Sequence, residues 1–288
     1  MTSPETHTVE APGAVITYDV RAAAESTEPT LLMIGSPMDA AGFAALAVEF
    51  PDRTVVTYDP RGTGRSERSE SGEATPEQHA DDLHRVISAL GGGPVDVFGS
   101  SGGAVNGLAL VARHPEQVRT LVAHEPPSAA LLPDRETALA AVRSIRDTYQ
   151  REGFGNGMAK FIALVGIKGP VPAEFAEQPG PGAAAFGMPT EDDGKRDDAL
   201  LAQNIITCTQ YEPDFGVLAS ASTRIVVAVG ADSEGELAYR GGLAVAERLG
   251  TEAVTVPGGH GAYLPAEFGM GGDPAGFAIA LSKILNER

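Results

Sequence analysis

Of 288 residues, only Cys208 is a cysteine, and there is no tryptophan. One thiol excludes an intrachain disulfide and a thiolate cluster for a metal, so no metal ion is expected. Positive charge is scarce as well: 21 Lys and Arg stand against 39 Asp and Glu, a formal net charge of −18. That imbalance disfavours phosphate backbones and anionic membranes, so neither nucleic acid nor a membrane is expected as a partner. No apolar run approaches the ~20 residues a membrane span needs. The stretch "MTSPETHTVEAPG" lacks the basic and apolar regions of a secretion signal, and the expected setting is the cytoplasm.

Hydrophobic residues make up 42% of the chain, enough to build a real core. Short apolar runs alternate with longer helical patterns, the signature of βαβ units and a mostly parallel sheet. "THTVE" and "AVITYDV" read as an opening hairpin, and "TLLMIG" (30–35) and "TVVTYD" (54–59) as buried strands around a helix near 40–49. "TPEQHADDLHRVISALG" carries Thr75 as N-cap, Pro76 at the first helical position and Gly91 at the close. Strand "VDVFG", a helix over about 101–113 and strand "RTLVAHE" (119–125) follow. Two more strands (223–232, 252–258), the helix between them and a final helix over about 274–286 complete the pattern.

Between Glu125 and Thr223 the alternation stops. "RETALAAVRSIRDTYQ", "GMAKFIALVG" and "KRDDALLAQNIITCTQY" are helical, and "EQPGPGAAAFGMP" is a loop. The domain reading is therefore a core of residues 1–127 and 223–288, with a helical lid over 128–222 between two strands.

The run "VDVFGSSGGAVNGLAL" (95–110) ends a strand at paired serines hemmed by glycines. Gly-x-Ser-x-Gly fits one register only, Gly99-Ser100-Ser101-Gly102-Gly103, because centring on Ser100 would need glycine where Phe98 stands. A nucleophile elbow requires small neighbours, since the turn packs strand against helix with strain at the nucleophile. Ser101 is the expected nucleophile. Gly62 and Gly64 in "YDPRGTGRS" do not complete G-x-G-x-x-G, so no dinucleotide cofactor is expected.

Elbow, "YDPRGTGRS" and element order together resemble the α/β-hydrolase family over nearly the whole chain. The resemblance implies an α/β fold, a mostly parallel sheet with helices on both faces, and a catalytic histidine after the last strand. His260 in "PGGHGAY" stands at that place. His114 reads as a helix C-terminal cap, and His7, His79 and His84 as residues of polar faces. The oxyanion hole is expected from backbone N–H groups of Gly102 and Ser36. Pro37 has no N–H, and the family's His-Gly-x is here Ile34-Gly35-Ser36.

Two positions compete for the acid. The family's Gly-x-x-Asp after the penultimate strand would fall on Ser233, with Asp232 one residue early in "VGADSEG". A second family location, the end of the strand after the nucleophile helix, holds Glu125 in "VAHEPP". This is similar to some haloalkane dehalogenases and to zearalenone-type lactonases, which join a Ser-Ser-Gly elbow to His-Glu-x-Pro. Glu125 is the favoured acid and Asp232 the alternative, while His124 is expected to turn into the core or lid.

The expected activity is hydrolysis of a small carboxylic ester or lactone through an acyl-enzyme on Ser101, with no cofactor. Met158, Phe161, Ile162, Phe186 and Met188 could line its pocket, though helical spacing suits core positions equally. A C–C bond hydrolase, a cofactor-free oxygenase or perhydrolase, and a non-catalytic ligand receptor on the same fold are the alternatives. Epoxide hydrolase and dehalogenase chemistry would want aspartate at position 101.

Overall fold

The opening alternation folds into the expected hairpin, β1 (Glu5–Ala11) antiparallel to β2 (Ala14–Arg21). The structure, a computed structural model, describes residues 3–69, 72–266 and 271–287. Strands β3 (Leu31–Ile34) and β4 (Val55–Tyr58) are buried along their whole length, as unbroken apolar runs must be when helices cover both sheet faces. The helix expected between them is reduced to a 3-10 turn, Ala40–Phe43, and one turn of helix, α1 (Ala44–Ala47). The stretch is too short for helix propagation to outweigh nucleation.

A two-residue strand, β5 (Glu67–Arg68), pairs with β2 and had no signal in the sequence. Helix α2 (Pro76–Leu90) has the predicted ends: Thr75 and Gln78 form a reciprocal capping box, and Gly91 closes in the left-handed region. Then come β6 (Val95–Ser100), α3 (Gly102–Arg113) and β7 (Val118–His124).

After β7 the chain leaves the sheet for α4 (Arg135–Val165), where two expected helices run together across Gly153, at φ 83°. Short 3-10 turns follow, then a π-helical turn, Ala199–Asn204, and α5 (Ile205–Gln210). "KRDD" is not helical. Asp198 caps instead, accepting from the Leu200 and Leu201 N–H groups, so helical structure begins after it. Helix α6 (Phe215–Ser220) falls within 128–222, yet its Phe215 and Leu218 belong to the main core under the sheet. Strand β8 (Arg224–Gly230), α7 (Leu237–Leu249), β9 (Val254–Val256) and α8 (Pro274–Asn286) complete the order.

The sheet runs β1-β2-β4-β3-β6-β7-β8-β9, with β5 on β2, and is parallel from β4 to β9. From β3 the chain goes to β4 on one side, then crosses back to β6 on the other. This reversal opens a crevice at the carboxyl ends of β3 and β6, where α/β sheets bind ligands. One apolar cluster packs α2, α3 and α6 on one face, a second packs α1 and α8 on the other, and α4 and α5 share a third of their own. Among the described residues no helix is long and apolar enough to cross a membrane.

"YDPRGTGRS" is pinned in place. Asp59 accepts from the Ala40 and Arg65 N–H groups, and the buried Arg61 guanidinium pairs with Asp82. His79 departs from expectation. It lies on the buried face of α2, only 2% exposed, because the helix turns that side toward the sheet. Burial first, then the Arg61 and Arg68 charges, push its pKa down to about 3.

Candidate active site

β6 ends at Ser100 and α3 starts at Gly102, so Ser101 carries the whole reversal at φ 56°, ψ −125°. Positive φ is strained for a residue with a Cβ. The turn is held by the Ser101 N–H, which donates to His124 O at 2.9 Å, and by Ala104 N–H, which donates to Ser101 O at 2.9 Å. Its glycines are packing requirements. A Cβ on Gly102 would collide with Ser36 O, one on Gly103 with Ile34 O, and one on Gly99 would lie 2.8 Å from Gly103 O. Gly102 opens the helix, so its N–H lacks an intrahelical partner, while its Cα side packs against the Ser36 backbone.

The neighbouring serine turns the other way. Ser100 is 1% exposed, and its Oγ lies 3.0 Å from His124 Nδ1. His124 sits in the core among Phe98, Tyr263 and Phe277, and burial pushes its pKa down to about 4.

Glu125 follows β7 directly and also holds a positive φ, 47°. Its N–H donates to Ala228 O at 3.0 Å, and its side chain is fully buried. Carboxylate Oε1 accepts from the Gly230 N–H at 2.8 Å and from the Ser233 hydroxyl, while Oε2 lies 2.6 Å from His260 Nδ1. Burial alone would raise its pKa. The His260 hydrogen bond, the charges of His124 and His260 and the Ser233 bond outweigh it, and the value falls to about 2. Asp232 is brought to neither group: its side chain is exposed, its N–H donates to Gly258 O, and Glu125 occupies His260 Nδ1.

Ser233 escaped the sequence reading as a participant. The signal was the Gly-x-x-Asp register itself: the position that fails to supply a carboxylate supplies a hydroxyl to the carboxylate from β7. The two positions weighed for the acid converge in space, one bringing a carboxylate to His260 and the other a hydroxyl to that carboxylate.

Ser36, Ser101, Gly102 and His260 line one cavity of about 190 Å³. Its walls are mostly apolar: Val142, Phe161, Leu164 and Val165 from α4, Leu200 from the π-turn, Ile205 from α5, and Leu237. Of the five insertion residues singled out in the sequence, Phe161 reaches it, whereas Phe186 is exposed. Cys208 also lines it, with burial pushing its thiol pKa up to about 12. Asn204, Thr209 and Glu236 are further polar residues there, and the buried Ser36 Oγ has no hydrogen-bond partner. Among the described residues no three His, Cys, Asp or Glu side chains are grouped as a metal site requires.

The family description "alpha/beta hydrolase fold" matches residues 31–165. A Bacillus subtilis protein named as the uncharacterized hydrolase YraK is 34% identical over 260 residues, 89% of each chain. An esterase from Thermogutta terrifontis superposes with a TM-score of 0.64 at 21% identity, over 99% of this chain and 98% of that one. The enol-lactonase of Burkholderia xenovorans superposes with a TM-score of 0.66 at 18% identity, over 98% and 100%. With a relative so similar over nearly its whole length, the chain belongs to the α/β-hydrolase superfamily and is a hydrolase enzyme of that fold.

Proposed function

We propose that the protein hydrolyses a small carboxylic ester or lactone by a serine mechanism. The observation that carries the reading is His260, held 2.6 Å from the buried Glu125 and lining the same largely apolar cavity as the strained Ser101. With Nδ1 held by Glu125, His260 offers Nε2 to the Ser101 hydroxyl. His260 takes the proton as Ser101 Oγ bonds to the acyl carbon, and the carbonyl oxygen becomes an oxyanion facing the N–H groups of Ser36 and Gly102. The C–O bond to the alcohol then breaks, and the leaving oxygen takes the proton from His260. Water, losing a proton to His260, attacks the acyl carbon; the bond to Ser101 Oγ then breaks, Oγ takes the proton back from His260, and the carboxylic acid leaves.

The same reading makes residues 1–127 and 223–288 the core and the 128–222 insertion a lid, α6 excepted since it packs in the core, whose α4 and α5 supply most of the substrate contacts. It also makes the substrate a small molecule and the setting the cytoplasm. The esterase and the enol-lactonase that share the fold are named for reactions of this type, which supports the substrate class.

The test is a panel of esters and lactones with wild type, Ser101→Ala and Ser100→Ala, together with labelling by a fluorophosphonate. Ser101→Ala is expected to lose turnover by several orders of magnitude and to lose the label. Ser100→Ala is expected to keep both. Full activity in the Ser101 variant would refute the serine mechanism.

A further inference from the structure

Glu236 stands at the N-cap of α7, but its side chain caps nothing. It lines the cavity instead, half-buried and, among the described residues, without a hydrogen bond or ion pair. The charges that act on it are those of Glu125, Lys168 and His260, and Lys168 Nζ lies 3.5 Å from Asp232 O. Burial, followed by the Glu125 charge, raises its pKa against the opposing charges of Lys168 and His260. The buried Asp82, by contrast, has a protein partner and is bonded twice to Arg61. A carboxylate with no protein partner in a largely apolar wall leaves an acceptor open to a donor group on whatever the cavity binds.

We propose that Glu236 is a specificity-determining residue that accepts a hydrogen bond from a donor group on the substrate, an ammonium most strongly and a hydroxyl less so. The substrate is then an ester or lactone with an apolar body and one such group placed against the start of α7. Carboxylate-bearing analogues are rejected by the same charge. The proposal deepens the ester and lactone reading of this site and rests on it.

The test uses three acetate esters of matched chain length, from an alkyl alcohol, a diol and an amino alcohol, and the corresponding methyl esters with the end group on the acyl side. Binding is measured by calorimetry to Ser101→Ala, with and without Glu236→Gln. In one of the two series the amino ester is expected to bind about tenfold more tightly than its alkyl match, and Glu236→Gln to abolish that preference. Equal binding of all members in both series, absence of binding included, overturns the proposal, as does a preference that survives Glu236→Gln. A uniform change for every ester would mark Glu236 as a charge acting only through His260, and overturns it too. Turnover of the same esters by wild type is scored separately: selective binding with no hydrolysis counts against the ester reading and not against the contact with Glu236.

Discussion

Ser101 and Glu125 are the two non-glycine residues at positive φ among those described, and they leave the ends of adjacent strands. Strain held at two neighbouring points of one site is the pattern expected where geometry serves chemistry. At Glu125 it aims the carboxylate across the end of β8 at Gly230, Ser233 and His260. Glu125→Gln is expected to lower kcat by about 10⁴, by analogy with serine proteases, with Asp232→Asn retaining most activity. Steady-state kinetics on one good ester checks both, and the reverse result would reassign the acid. Ser233→Ala removes one donor from the Glu125 carboxylate, so its pKa rises from about 2 toward its ordinary value. The expected outcome is a lower kcat with little change in KM, and an activity loss on acidification that begins at higher pH than in wild type. A pH–rate profile measures it, and Ser233→Thr, which keeps the hydroxyl, should restore the wild-type profile.

Glu125 also couples the site to stability. Its folded pKa, about 2, lies below its ordinary value of 4.5, so ionised Glu125 favours the folded state. That contribution is complete above the unfolded value and is lost as pH falls through the window from 4.5 toward about 2. Urea titrations across this range should show a smaller acid-induced loss of stability for Glu125→Gln than for wild type.

At the scale of elements, cap chemistry accounts for what the sequence made legible and what it hid. Thr75, Pro76 and Gly91 announced both ends of α2 because end signals are local, acting among residues a few positions apart, and Gln78 completes the cap. Thr75→Ala is expected to destabilise the protein by ~1 kcal/mol through loss of the Gln78 N–H bond, measured as a lower urea midpoint with unchanged m-value. Asp198 starts the π-turn by the same chemistry, but the preceding "KRDD" has helical composition and masked the boundary. The strand β5 was invisible for the opposite reason: two residues carry no periodicity, and only pairing with β2 defines them. His79 shows a third limit, since polarity alone placed it on the wrong face of α2.

For the molecule as a whole, a net charge of −18 acts on whatever approaches. Anionic esters should meet a repulsive field that salt screens, the Debye length falling from roughly 30 Å to about 8 Å between 0.01 M and physiological ionic strength. Their kcat/KM is expected to rise over that range, while neutral esters of the same size stay nearly level. Equal salt response for both would remove net charge as a factor in substrate choice.

The sequence by itself determined the alternation of strands and helices, the single register of the elbow on Ser101, and the interruption after Glu125. Each is a local pattern of polarity, small residues or breakers, readable within a few residues. Tertiary structure decided which carboxylate meets His260, because 135 positions separate Glu125 from it and only the order β7-β8-β9 brings them together. It also decided that Ser233 serves Glu125, that Ser100 faces the core, and that Glu236 faces the cavity. Those outcomes depend on the direction each strand end points once the sheet has assembled, and spacing along the chain does not encode direction across it.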